Sequence, residues 1–139
     1  MTPLPSVLLI DDDPINNFLN KSLLTRLGVA SHLQIAQSAH EALQYLAKGG
    51  QAAPEAAPSL VLLDVNMPGM SGIQFLEAYR QLPEVPPSVV VILTTSLHPR
   101  DVRQVEELGI VQDFLSKPLT PEKVNGLLRK HFNRQLPEC

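Results

Sequence analysis

A chain of 139 residues that is 44% hydrophobic and 18% charged has the length of one domain, with enough apolar side chains for a core without disulfide or metal staples. Basic residues number 11 against 14 acidic ones, giving a net charge of −3, and they are scattered, which excludes the electrostatic footprint of a nucleic-acid binder. The one cysteine, Cys139, excludes an internal disulfide framework and fits a reducing cytoplasmic compartment. The chain also lacks the roughly 18 consecutive apolar residues of a membrane span, and Met1 to Pro5 is too short and uncharged for a secretory signal.

In chain order, short apolar runs alternate with helix-period segments, the pattern of a parallel sheet covered by helices. The first run is Val7 to Ile10, followed by Asp13-Pro14, an N-cap with proline at the first helical position. Ile15, Phe18, Leu19, Leu23 and Leu27 then predict one inward face of a helix that Gly28 ends. Leu33 to Ala36 is the second run. Ser38 with Glu41 forms a capping box for a helix carrying Ala39, Ala42, Leu43 and Leu46, with a stop expected at Gly49-Gly50 and a tolerated loop on to Ser59.

The third run is Leu60 to Leu63, and Ile73, Leu76, Tyr79 and Leu82 mark the helix after it. The fourth is Val89 to Leu93, followed by a helix with Val102, Val105 and Leu108 that Gly109 closes. The fifth is Phe114-Leu115, with Ile110-Val111 just upstream, and Thr120-Pro121 opens a last helix with Val124, Leu127, Leu128 and Phe132 inward. Five strand and helix pairs predict an α/β fold, an open doubly wound five-stranded parallel sheet. One domain over residues 1–139 is expected, and the tail from Asn133 to Cys139 offers no output module.

Polar chemistry gathers at the carboxyl ends of these strands. Asp11, Asp12 and Asp13 follow the first run, Asp64 the third, Thr94-Thr95-Ser96 the fourth, and Lys117-Pro118 the fifth. Two unit charges about 4 Å apart repel by roughly 4 kcal/mol at an effective dielectric near 20, so such a cluster asks for a cation, a proton or hydrogen-bond donors. Mg²⁺ takes carboxylate oxygens of this kind, Lys117 can neutralise phosphoryl oxygens, and a hydroxyl can direct a hydrogen bond at them. Plainer roles compete at each position. Asp64 can form a turn before Pro68-Gly69, Thr94 can cap the next helix, and Lys117 can be solvated. The four histidines, His32, His40, His98 and His131, show no metal-ligand spacing.

The stretches LLIDDDP, LVLLDVNMPGMSG, VVVILTTS and FLSKPLT, in this order along nearly the whole chain, resemble the receiver domains of bacterial two-component response regulators. That resemblance implies the flavodoxin-like (βα)5 receiver fold. It implies a phosphoacceptor, not an enzyme acting on external substrates, which takes a phosphoryl group onto Asp64 from a histidine kinase or histidine phosphotransfer protein. It further implies that Asp11, Asp12, Asp64 and the backbone carbonyl of Asn66 hold Mg²⁺, Asp11 through water. Thr94 and Lys117 would bind phosphoryl oxygens, with the amine aimed by a cis peptide before Pro118.

Thr94 and Phe114, a position where many relatives carry tyrosine, would move together as a switch that remodels the face of the fourth helix, fifth strand and fifth helix. A downstream effector, or a second copy in a homodimer, would read that face; an immobile core role for Phe114 remains open. Thr95 departs from the family's usual alanine or glycine and is expected to slow phosphoryl traffic.

Counting from the apolar run makes Asp11 and Asp12 the acidic pair and leaves Asp13 as helix cap, with Asp12 and Asp13 as the alternative register. A phosphatase of the haloacid dehalogenase type would need a second aspartate where Asn66 stands, and a flavin carrier would need a phosphate-cradling loop where the acids stand. A receiver-like scaffold that binds partners without phosphorylation remains the competing reading.

Overall fold

The computed structural model describes residues 4–52, 59–64, 72–81, 88–94 and 99–133. In chain order these form β1 (Val7–Ile10), α1 (Pro14–Leu27), β2 (Leu33–Ala36), α2 (Ala39–Ala52) and β3 (Leu60–Leu63), then α3 (Gly72–Arg80), β4 (Val89–Thr94), α4 (Pro99–Leu108), β5 (Asp113–Ser116) and α5 (Pro121–Phe132). The five strands make one parallel sheet in the order β2-β1-β3-β4-β5. The direction in which strands are added reverses at β1, so a crevice opens between the carboxyl ends of β1 and β3, where ligands bind in open sheets of this kind.

The central strands are apolar without alternation because both of their faces are covered. Leu8 and Ile10 of β1 join Val61, Leu63, Val90 and Ile92 in a cluster under α2, α3 and α4. Val7 and Leu9 turn the other way, into a cluster with Leu24 of α1 and with Val124, Leu127 and Leu128 of α5. Phe75, absent from the expected α3 stripe, is among the largest fully buried side chains, and truncating it to alanine costs about 3–5 kcal/mol.

The helix ends follow the local chemistry of the sequence. Asp13 Oδ1 accepts the Ile15 amide at 2.9 Å, and Gly28 closes α1 in the left-handed region at φ 67°. Ser38 Oγ accepts the Glu41 amide at 3.1 Å, while the Glu41 carboxylate reaches back to the Gln37 amide at 3.2 Å, one residue before the partner of an ordinary capping box. Thr120 Oγ1 caps α5 through the Lys123 amide at 3.2 Å.

Two expectations need correction. The glycine pair does not stop α2, which runs on to Ala52; a glycine costs a helix about 1 kcal/mol but leaves every backbone hydrogen bond available. The inward face of α1 is also different. Ile15, Phe18 and Leu19 are 67%, 69% and 57% exposed, whereas Asn17 and Leu24 are buried. At about 100° per residue, positions 17, 20, 24 and 27 share one face, and 15, 18 and 19 lie on the other side. Asn17 contributes to this rotation: its Nδ2 donates to the Asp11 carbonyl at 2.8 Å, pinning the first turn of the helix to the end of β1.

Candidate functional site

Ile10 and Leu63 are register partners on neighbouring strands, so the residues that follow them, Asp11 and Asp64, emerge side by side. The Asp64 amide continues the ladder to Ile10 O at 2.9 Å, and the Asp11 amide does the same to Ala36 O at 3.1 Å. Both acids are buried, 4% and 6% exposed, and Asp12 is exposed beside them. A carboxylate oxygen from each of Asp11, Asp12 and Asp64 lies within 4.8 Å of the other two. Oxygens opposite one another on a six-coordinate Mg²⁺ are about 4.2 Å apart and adjacent ones about 3 Å. The three acids are thus near the spacing at which carboxylates gather around one such ion.

Asp13 stands apart from this cluster. Its amide donates to Asp11 Oδ1 at 2.9 Å while its own carboxylate caps α1, so of the two registers the one pairing Asp11 with Asp12 is the one that gathers with Asp64.

Lys117 arrives from the loop after β5. Its Nζ is 3.0 Å from Asp11 Oδ2 and 3.6 Å from Asp64 Oδ2. Burial by itself would lower the amine's pKa, but the hydrogen bond to Asp11 and the charges of Asp64 and Asp11 outweigh it, and the net direction is upward. The Lys117-Pro118 peptide is cis, as the resemblance implied.

Lys123, on the first turn of α5, holds both neighbours of Lys117. Its Nζ donates to Ser116 O at 2.7 Å and to Pro118 O at 2.9 Å. Neither Lys123 nor Asn17 stood out in the sequence. Asn17 had a signal, since a polar residue occupies the inward row that Leu24 and Leu27 continue.

Thr94 ends β4 with Ser116 as its register partner, and Phe114 pairs with Ile92 and packs against the cluster under α2, α3 and α4. The Thr94 side chain, Asn66 and Thr95 lie outside the described residues. Three strand ends thus bring Asp11, Asp64 and Lys117 into contact distance.

The model of the response regulator receiver domain matches residues 7–129. The chain belongs to the receiver domain family of response regulators. A two-component response regulator from Cytophaga hutchinsonii superposes with a TM-score of 0.82 at 36% identity, over 96% of this chain and 100% of that one. The probable chemotaxis protein CheY of Rhizobium etli is 34% identical over 126 residues, 91% of each chain. The histidine-protein kinase BarA of Escherichia coli K12 is 29% identical over 127 residues, which cover 91% of this chain and 13% of that protein.

Receiver domains are signalling phosphoacceptors and not enzymes in the usual sense; they work with histidine kinases or phosphotransfer proteins and with effectors. As a class they bind Mg²⁺ in an acidic pocket, and Asp11, Asp12 and Asp64 of this receiver domain form a carboxylate cluster that could hold such an ion. Among its described residues no helix is long and apolar enough to cross a membrane.

Proposed function

We propose that this receiver domain accepts a phosphoryl group on Asp64 from the phosphohistidine of a histidine kinase or phosphotransfer protein, in the cytoplasm and in a Mg²⁺-dependent reaction. The observation that carries this reading is the position of Asp64, buried at the end of β3, within ligand-sharing distance of Asp11 and Asp12 and 3.6 Å from the Lys117 amine. Asp11, Asp12, Asp64 and the carbonyl of Asn66 would hold the ion. When bound, Mg²⁺ supplies charge neutralisation at the acids and at one phosphoryl oxygen.

A carboxylate oxygen of Asp64 attacks phosphorus in line; the new O–P bond forms as the N–P bond breaks, and the ring, which carries one proton on its other nitrogen, keeps the electron pair of the broken bond and leaves as neutral imidazole. Lys117 moves its charge from Asp64 onto a phosphoryl oxygen, and Thr94 donates to another. Positioning and charge supply most of the catalysis, and the site turns over nothing but its own acyl phosphate, which water returns to carboxylate and inorganic phosphate. The added charge draws Thr94 inward, Phe114 fills the space left behind, and the face of α4, β5 and α5 changes shape for an effector or a second copy to read. Having no hydroxyl, Phe114 acts by packing alone.

Intact-mass spectrometry after incubation with acetyl phosphate tests this. The parent with Mg²⁺ should gain one phosphoryl group, and the gain should vanish with EDTA and in Asp64→Asn. A parent that gains nothing under any of these conditions would instead be a scaffold that works without phosphorylation.

A further inference from the structure

Every polar handle of Asp11 is held. Its amide is bonded to Ala36 O, Oδ1 accepts the Asp13 amide, Oδ2 accepts Lys117, and its carbonyl accepts Asn17 Nδ2 at 2.8 Å. Three of those partners are the sheet, the neighbouring turn and the site's own amine. The fourth is a buried side chain from another element, 2% exposed, whose one side-chain hydrogen bond among the described residues is this one.

A carbonyl oxygen can only accept, so the amide nitrogen of Asn17 must be the atom facing Asp11, and Oδ1 faces away from it. That Oδ1 is fully buried and has no hydrogen-bond partner among the described residues. Asn17 and Asn20 line a small cavity together with Asp11 and Asp64, where about 10 Å³ is open to the centre of a water-sized sphere. This is close to the least space one water molecule needs.

A burial this unfavourable for an amide, on a helix with leucines at hand, calls for an interaction that offsets it. Leucine in this place would fill the volume and favour the helix, yet would leave the Asp11 carbonyl unpaired and the strand-end peptide free to rotate. We propose that Asn17 is a positioning residue for the metal-holding acids: by fixing the Asp11 peptide it fixes where the Asp11 and Asp12 side chains leave the backbone. The proposal rests on the reading that Asp11, Asp12 and Asp64 hold Mg²⁺.

The test is Mg²⁺ affinity by calorimetric titration of the parent, Asn17→Leu, Asn17→Ala and Leu24→Ala, with urea unfolding measured on each. Both Asn17 variants should bind Mg²⁺ about tenfold more weakly, the loss typical when a partner that orients a metal ligand is removed. Leu24→Ala, on the same face of α1 but away from the acids, should unfold at lower urea with Mg²⁺ affinity unchanged. The alanine variant carries the test if leucine is not accommodated. Affinities within twofold of the parent in the Asn17 variants overturn the proposal, as does an equal weakening in Leu24→Ala, which would reduce Asn17 to a general packing role. A parent that binds no Mg²⁺ overturns the metal reading itself, and the positioning role with it.

Discussion

Lys117 Nζ is closer to Asp11, at 3.0 Å, than to Asp64, at 3.6 Å, although Asp64 is the residue proposed to react. The amine is thus hydrogen-bonded to the metal-side acid and coulombically shared with the acceptor. That arrangement offsets the charge of both buried acids with one amine.

Removing the amine takes a shared counter-charge from two buried carboxylates. Lys117→Met should lose roughly 2–3 kcal/mol at pH 7 without Mg²⁺, somewhat below the figure for a fully buried pair, because the lysine side chain is 16% exposed. The folded-state pKa of the amine is raised, so its contribution is complete below the ordinary value of 10.5 and is lost as pH rises through the folded value. Urea unfolding of parent and variant should therefore give curves that separate at neutral pH and converge in strong alkali. A gap that persists unchanged there would mean that the lysine stabilises by packing and not by charge.

Among the described residues, three carboxylates face one ammonium, and the excess of negative charge favours a further cation. Mg²⁺ at tenfold its dissociation constant should stabilise the parent by about 1.4 kcal/mol. Asp12→Asn should remove most of that gain, and its metal-free form should be no less stable than the parent, since Asp12 is exposed and loses only repulsion. Thermal unfolding with and without Mg²⁺ checks both halves.

Asp13 separates cap from cluster. Asp13→Ala removes the acceptor of the Ile15 amide and should cost about 1 kcal/mol, whereas asparagine caps nearly as well and should cost little. Neither change should shift Mg²⁺ affinity by more than about twofold, the loss of one unligated charge near the site being largely screened. A collapse of Mg²⁺ binding in Asp13→Asn would show the register to be Asp12 with Asp13.

Much of the fold is legible in the sequence for physical reasons. Strands β1 and β3 fall at their expected bounds because an apolar run flanked by polar residues has one way to be buried on both faces, and the edge strand β2 falls at its bounds too although Gln34 interrupts it and only Ala36 is fully buried. The fourth apolar run stops at Leu93 while β4 takes in Thr94 at its end, and β5 extends one residue beyond Phe114-Leu115 on each side, from Asp113 to Ser116. Those ends depend on ladder pairing to a neighbour, which no local pattern encodes. Asp11, Asp64 and Lys117 were found because strand ends of a parallel sheet converge. Asn17 is marked in the sequence only as a polar residue in the inward row, and its hydrogen bond to a carbonyl six residues earlier cannot be read from that.

At the opposite end of β5, Asp113 accepts from His131 at 3.2 Å and Lys130 at 3.3 Å, tying the end of α5 to the sheet. Slight burial would raise its pKa, but the bonds from His131, the Phe114 amide and Lys130 lower it overall. A depressed acid contributes above its ordinary value of 3.8 and loses that contribution as pH falls through the folded value. Asp113→Asn should then cost about 0.5–1 kcal/mol at pH 7 and low salt, where exposed pairs are strongest. In urea unfolding the two proteins should become equally stable in acid below the folded pKa, and high salt should narrow the gap at pH 7.

The rotation of α1 makes the sharpest distinction between pattern and structure. If Ile15, Phe18 and Leu19 formed the inward stripe that their spacing suggests, each truncation would open a cavity and cost about 2–5 kcal/mol. They point to solvent, so Ile15→Ser and Phe18→Ser should each change stability by no more than about 0.5 kcal/mol. Leu24→Ala, one buried residue on the true inward face, should cost more than both together. Urea midpoints of the three variants decide the matter: large losses in the serine variants would mean that α1 is turned about its axis from the position described, and the bond from Asn17 to Asp11 would fall with it.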